Sequence, residues 1–385
     1  MAQEPPQPAV LHINDARTWR GGEQQTLYLA RGMSARGLRT GLACRPGAPL
    51  AQRGIEAGLD THQVRMLTEV DPLAALRIAR LARRGGFNIL HAHTAHAHGL
   101  AWLAQVVWRC RCRLVVHRRI EFAVGRRAWG LSRMKYGPAV DAFIAVSDGV
   151  KGSLVRAGIQ PWRIFTVHSA TDPQRFLGIT PNPLLRDELG IPRDAFVVGN
   201  VGYLVGHKDH ANLLRAAALA LPRVPNLYVV IVGPGPLEGD LVAMAQQLGI
   251  SGRVIFTGFR TDIPQLLRSF DLFALSSSEE GLCGSVLEAM ASELAIVATD
   301  AAGMREAMVD GQTGLLVPIR DSAALAGAIV RMAQEPETAR RMAAAALKRM
   351  LEHFTADGLT EGTLEVYRRV LAGQVAPPPA DLPAG

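Results

Sequence analysis

The chain predicts an α/β fold built from two Rossmann-like halves, on three observations. Short apolar strands alternate with amphipathic helices, the pattern of a parallel sheet. The alternation stops at Ile179-Thr180-Pro181-Asn182-Pro183, a linker by composition, and then restarts. With 385 residues, 48% of them apolar, the chain is long for one core and rich enough for two.

Taken in order, Ala9 to Ile13 reads as a strand, and Gly21-Gly22-Glu23 opens a helix that runs to about Arg36. Thr40 to Cys44 is the next strand and Pro72 to Arg84 the next helix. Asn88 to His93 is a strand with polar residues at its end, followed by a helix from His98 to Arg109. Leu114 to His117, Ala142 to Ser147 and Ile164 to Val167 complete the first half. The second half opens with Phe196 to Val201, then Leu227 to Val232, Val254 to Phe256 and Leu272 to Leu275. The tail from Val375 to Gly385, rich in Pro and Ala, is expected to be disordered. The domain limits read from this pattern are 1–180 and 181–356, a helix over 357–372 and a tail over 373–385.

No apolar run reaches the roughly 18 residues a spanning helix needs, and Met1 to Pro8 is not signal-like, so the expected location is cytoplasmic. Cys44, Cys110, Cys112 and Cys283 are few and scattered, which fits buried reduced thiols better than a zinc knuckle. The net charge of +8 is uneven. Residues 1–190 carry 26 Lys and Arg against 13 Asp and Glu, and residues 191–385 carry 16 against 21. A basic half suits an anionic partner such as nucleic acid, phosphorylated lipid or a membrane surface, although Arg-rich codon usage yields the same excess.

The most informative stretch follows the strand Leu272–Leu275. It carries Glu280, Gly281, Leu282, Cys283 and Gly284, a helix opening at Ser285, and Glu288. Unpaired helical N–H groups, a positive macrodipole end and glycines make an anion site. Carboxylates there repel phosphate, so they suit sugar or ribose hydroxyls. Both glutamates also have plainer readings: Ser285 to Glu288 fits a capping box, and Glu280 fits a solvated loop. Gly202-Tyr203-Leu204-Val205-Gly206-His207-Lys208 likewise lies between a strand and a helix, where glycines admit a phosphate and Lys208 reaches it as a point charge. Gly233-Pro234-Gly235-Pro236 lacks the third glycine of a dinucleotide fingerprint and reads as a structural turn. His91, His93, His96 and His98 form a loose run without a nearby Cys, a poor zinc site. Arg126 to Tyr136 mixes basic and aromatic residues, as interfacial helices, nucleic-acid sites and plain solvated faces all do.

From Phe256 to Pro318 the sequence resembles the C-terminal half of retaining, nucleotide-sugar-dependent glycosyltransferases of family 4. Their signature is a glutamate, seven residues, a second glutamate and Ala-Met-Ala; Glu280, Glu288 and Ala289-Met290-Ala291 match it. The resemblance extends more sparsely over Leu11 to Tyr367. It implies the GT-B fold, two Rossmann-like domains facing across a cleft, the first for the acceptor and the second for the donor, with the last helix crossing back to the first. It also implies a hexosyltransferase-type enzyme with a nucleoside diphosphate sugar as donor and no metal or other cofactor. The donor residues so implied are Gly21, Gly22, Gly202, Tyr203, Lys208, Arg260, Glu280, Gly281, Leu282, Cys283, Gly284 and Glu288. Catalysis falls to Glu280, Lys208 and a strand-end histidine, His117, with His93 as the other candidate. His93, Arg118 and Arg119 are placed toward the acceptor, a glycan or lipid-linked hydroxyl. Tyr203 stands where the family has an arginine on the pyrophosphate, a gap for Arg260, Arg20 or helix N–H groups to fill. Family habit adds cell-envelope glycan (lipopolysaccharide core or similar) synthesis at the inner membrane face, with no role for nucleic acid. A nucleotide-sugar epimerase and a non-catalytic nucleotide-sugar or polyanion binder are the alternatives.

Overall fold

A computed structural model describes residues 6–120, 134–180 and 183–376. The chain divides into two compact units, Met1–Ser169 with Ala356–Gly385, and Ala170–Thr355. The division falls before the Pro-rich stretch at 179–183. Ala170 onward packs with the second unit, where the Thr171 N–H donates to Phe354 O at 2.9 Å and Thr171 bridges Thr355.

The first unit holds a seven-stranded parallel sheet, all of whose pairings run the same way. Its strands are β1 (Val10–Asn14), β2 (Thr40–Cys44), β3 (Asp60–Gln63), β4 (Ile89–Ala92), β5 (Arg113–Arg118), β6 (Ala142–Ala145) and β7 (Ile164–Thr166). Their order is β3-β2-β1-β4-β5-β6-β7. Strands β1, β2, β4 and β6 are buried along their whole length, as strands covered by helices on both faces must be. Strand β3, the helix Pro49–Glu56 and the helix Asp148–Arg156 are additions to the sequence reading. The helix after β4 begins at Ala95, earlier than read, because Thr94 accepts from the Ala97 N–H and caps it. The last helix, Ala356–Leu371, belongs to this unit. It lies so close to the helix Gly21–Ala35 that a Cβ on Gly32 would meet Thr360 Oγ1 at 2.2 Å.

The second unit holds a six-stranded parallel sheet of β8 (Phe196–Val201), β9 (Leu227–Val232), β10 (Val254–Gly258), β11 (Leu272–Leu275), β12 (Ala295–Thr299) and β13 (Leu315–Val317). Their order is β10-β9-β8-β11-β12-β13. Val198, Ile231, Leu272 and Val297 from the sheet meet Leu213, Leu214 and Ile329 from the helices in one core.

Each strand order reverses once, between β1 and β4 and again between β8 and β11. Loops leaving the C-terminal ends of those strands diverge and open a crevice, the usual ligand position in such sheets. In the first unit they carry Gly21-Gly22 and His93. In the second they carry Gly202 to Lys208 and Ser276 to Gly284.

Candidate active site

In the second unit the two switch-point loops are tied together. Asn200, at the end of β8, donates to Ala274 O at 2.7 Å and its Oδ1 is 3.0 Å from His210 Nε2. The Ser278 N–H donates to His207 O at 2.8 Å, and Ser276 Oγ donates to Lys208 O at 3.0 Å. These bonds bring Lys208 Nζ to 2.5 Å from Glu280 Oε1, which also accepts from Ser277 Oγ at 2.7 Å. Glu280 is thus a positioned side chain and not a solvated one. Burial opposes the Lys208 charge, but the adjoining Glu280 carboxylate and the hydrogen bond to Cys283 Sγ more than offset it, and the ammonium is held above its ordinary range. Burial raises the Cys283 thiol, with Glu280 adding to the effect, so it stays protonated.

The following helix spans Gly284–Ala291, one residue earlier than read from sequence, with Cys283 as N-cap and no side-chain cap. Ser285 Oγ lies 3.2 Å from Cys283 Sγ, and the capping-box reading of Ser285 and Glu288 falls away. Glu288 faces Arg175 instead, with Oε1 3.7 Å from its Nη1. Burial pushes the Glu288 carboxyl up to about 7, against the pull of that guanidinium. Backbone approach fixes two glycines here. A Cβ on Gly303 would sit 1.4 Å from Gly281 O, while the Gly303 N–H donates to Glu280 O at 3.3 Å. A Cβ on Gly233, at φ +133, would sit 2.1 Å from Gly202 O. The Gly233–Gly235 turn therefore buttresses the Gly202 loop, as its structural reading requires. Arg260 is occupied: its guanidinium donates to Asp262 Oδ2 at 2.6 Å and to Glu188 Oε1 at 2.7 Å.

In the first unit the histidine run separates. His91 and His93 join His12 and His117 in one buried patch at the C-terminal ends of β1, β4 and β5. His12 and His91 are register partners, and the His91 and His93 rings are 4.1 Å apart. His96 turns to Asp15 at 3.1 Å, and His98 Nε2 donates to Lys135 O at 2.8 Å. Burial drives the patch to neutral imidazole, His12 down to about 3 and His91, His93 and His117 well below their usual value. Arg119 anchors it. Its Nη2 donates to His93 Nδ1 at 2.9 Å, and its Cδ would lie 3.5 Å from a Cβ on Gly22. Burial lowers the Arg119 guanidinium to about 10, with Glu23 opposing, so it remains a cation at neutral pH. Because Arg119 only donates, His93 keeps its proton on Nε2 and donates it in a hydrogen bond to His12 Nδ1 at 2.9 Å. His12, His91 and His93 bring ring nitrogens within 4.8 Å of one another, the spacing of a metal site. The chain of donors from Arg119 uses the lone pairs of His93 Nδ1 and His12 Nδ1 and leaves protons on the other two nitrogens.

Two family models cover the chain in tandem: Glycosyltransferase Family 4 over residues 19–175 and Glycosyl transferases group 1 over 182–349. The putative glycosyltransferase EpsD of Bacillus subtilis is 31% identical over 294 residues, 73% of this chain and 76% of that one. The chain belongs to glycosyltransferase family 4. The lipopolysaccharide core biosynthesis glycosyltransferase LpsE of Rhizobium meliloti is 27% identical over 350 residues, 90% of this chain and 95% of its own. Among solved structures, Anabaena Alr3699/HepE in complex with UDP and glucose superposes with a TM-score of 0.82 at 20% identity, over 94% of this chain and 99% of that one. The protein is a glycosyltransferase with the GT-B fold.

Of the residues singled out from sequence, the structure brings Lys208 and Glu280 together and sets Glu288 beside Arg175, which lies in the family-like stretch Asp172–Phe176 read as structural or cleft-lining; Ser277 and His12 were not singled out. His12 had a signal, a polar residue inside a buried strand beside a histidine-bearing one. The pairing of Arg175 with Glu288 had none, because the two approach from distant parts of the chain. Arg118 is buried, with its guanidinium 5.9 Å from the Tyr136 ring. Most of the basic stretch Arg126 to Tyr136 lies outside the described residues. At its end, Lys135 is buried in an ion pair with Glu69 and does not form a solvated face. All four cysteines are free and buried, Cys110 Sγ lying 3.4 Å from Cys112 Sγ. No helix among the described residues is long and apolar enough to cross a membrane.

Proposed function

We propose that this glycosyltransferase moves a hexose from a nucleoside diphosphate sugar to a hydroxyl, with retention of anomeric configuration and without a metal ion. The observation that carries it is the Lys208–Glu280 pair at the switch point, 2.5 Å apart beside the N-terminus of the helix Gly284–Ala291. In the reaction the bond from the anomeric carbon to phosphate oxygen breaks, a bond to the acceptor oxygen forms, and the acceptor proton leaves with the phosphate or to solvent. Lys208 and the N–H groups of Gly284 and Ser285 neutralise the charge that develops on the departing diphosphate, which is electrostatic catalysis. Glu280, freed from Lys208 as the phosphate arrives, accepts hydroxyl hydrogens of the sugar. Glu288, poised near neutrality, takes the ribose hydroxyls. Gly202, Tyr203, Gly281, Leu282 and Cys283 supply backbone to the same donor.

In the first unit, Gly21 and Gly22 are assigned to the donor phosphates, and His117, both of whose ring nitrogens lack partners among the described residues, to the sugar. His93, Arg118 and Arg119 are assigned to the acceptor side. The proton chain running from Arg119 supports a reading of the histidines as polar lining and not as a metal site. The names of LpsE and its relative LpsD, 32% identical over 190 residues, favour lipopolysaccharide core or similar envelope glycan as the product. The basic first half suits a cytoplasmic enzyme working at an anionic inner-membrane surface. Membership of the family disfavours the epimerase and the non-catalytic binder.

The test is a donor screen with UDP-, GDP- and ADP-hexoses, with and without EDTA, using Glu280→Ala as control. EDTA-resistant transfer from one donor that the variant loses supports the proposal; transfer unchanged in Glu280→Ala refutes the site.

A further inference from the structure

A pocket of about 260 Å³ lies beside the Lys208 turn, lined by Gly206, Asp209, Asn212, Arg215, Ser278 and Arg320. It sits where the helices His210–Ala220 and Ser322–Gln334 both begin, linked by Ser322 Oγ donating to Asn212 Oδ1 at 2.8 Å. Three features mark it as unfinished. Asn212 is 1% exposed, and its Nδ2 has no hydrogen-bond partner among the described residues, an omission that native interiors rarely tolerate. Arg215 and Arg320 are exposed, and their guanidinium groups have no ion pair or hydrogen bond among the described residues. Two adjacent helix N-termini add positive potential. The one opposing charge, Asp209, is partly engaged in capping its own helix through the Asn212 N–H at 3.3 Å. Two guanidinium groups against one carboxylate leave a net positive lining with planar, forked donors, the chemistry that recognises phosphate oxygens. The volume is below the roughly 300–1,000 Å³ of a pocket for a whole small molecule and suits a phosphate group.

We infer that this pocket is a second phosphate-binding site, separate from the Lys208–Glu280 donor site and formed by Arg215, Arg320, Asn212 and Ser278. Its ligand is a phosphate group, either free or carried on a sugar. The Ser278 N–H bond to His207 O means that a phosphate seated there braces the turn that presents Lys208.

Titration calorimetry of the full chain with inorganic phosphate tests it. The variants are Arg215→Ala/Arg320→Ala, Lys208→Ala, and Arg340→Ala/Arg341→Ala, which removes the same charge elsewhere on the surface. The expected result is phosphate affinity reduced about tenfold or more in the pocket variant and kept within about twofold in the other two. Equal affinity in the pocket variant and the unaltered chain overturns the inference. So does an equal loss in the Arg340/Arg341 variant, which reports net charge alone, or a loss confined to Lys208→Ala, which reports the donor site. A parallel titration with glucose 6-phosphate separates the two sources. Tighter binding than inorganic phosphate, lost in the pocket variant, assigns the group to a phosphorylated sugar; equal binding assigns it to free phosphate.

Discussion

Replacing Glu288 with Gln is expected to stabilise the protein at alkaline pH while impairing it as an enzyme. The carboxyl is lifted by burial from the 4.5 of a free glutamate to about 7. Above pH 4.5 the unfolded side chain ionises while the folded one keeps its proton, so the folded state binds more protons and stability falls as pH rises through this window. A shift of about 2.5 units corresponds to roughly 3 kcal/mol at most, at about 1.4 kcal/mol per unit. The side chain is 19% exposed, so some of the penalty is relieved by solvent, and about 2 kcal/mol is the working figure. The amide matches the protonated carboxyl in shape and carries no charge to desolvate. Urea unfolding of both proteins at pH 5.5 and pH 8 should give a variant ahead by about 1 kcal/mol at the lower pH and about 2 kcal/mol at the higher. Nucleotide binding should weaken at pH 8, where Glu288 is mostly a carboxylate and a better acceptor of ribose hydroxyls than an amide, and change less at pH 5.5, where the carboxyl is protonated. A stability difference that is constant between the two pH values, or a variant less stable at pH 8, would refute the assignment of a buried, proton-holding Glu288.

Lys208→Ala should lower turnover by about a hundredfold or more in the transfer assay and cost about 2–4 kcal/mol of stability, since Glu280 keeps its burial and loses its cation. Glu280→Ala with Lys208→Ala should cost much less than the sum of the two single changes, a coupling read from a double-mutant cycle. Gly303→Ala should push the Gly281 backbone out of place and lose about 1–3 kcal/mol with most of the activity, measured by thermal unfolding and transfer. Acid should destabilise the first unit. His12, His91, His93 and His117 are neutral in the fold and protonate near 6.5 once unfolded, so stability falls as pH drops below that value, by up to about 1.4 kcal/mol per pH unit for each ring. A chevron or urea series from pH 7 to 5 checks it, and a flat profile would contradict the buried patch.

The legible parts of the sequence were those in which burial writes a run of letters. Strands such as Leu227–Val232 and Leu272–Leu275 are apolar throughout, and the structure places them at the residues read. Asp60–Gln63 escaped because an edge strand, half-exposed, has no need of apolar residues; its Asp-Thr-His-Gln run carries no period to detect. The Lys208–Glu280 contact was foreshadowed by two Gly-bearing loops that each leave a strand for a helix. Arg175 beside Glu288 and His12 beside His93 come from residues far apart in the chain, and spacing along one segment does not encode such pairs. The capping-box motif misled because Cys283, not Ser285, ends the loop, which moves the helix start by one residue and takes Glu288 out of reach of the cap.

The first unit is not contiguous in the chain. Its sheet and first helices come from residues before Ser169, yet Tyr367 Oη lies 2.6 Å from His91 Nδ1, and Thr360 packs on Gly32. During synthesis, residues 170–355 emerge as one uninterrupted stretch and have all they need to settle. The N-terminal part, although made earlier, lacks the Tyr367 partner of His91 until the final helix is added. Order along the chain and order of completion are therefore uncoupled, and a chain cut before residue 356 would keep every residue of the second unit while leaving His91 without Tyr367.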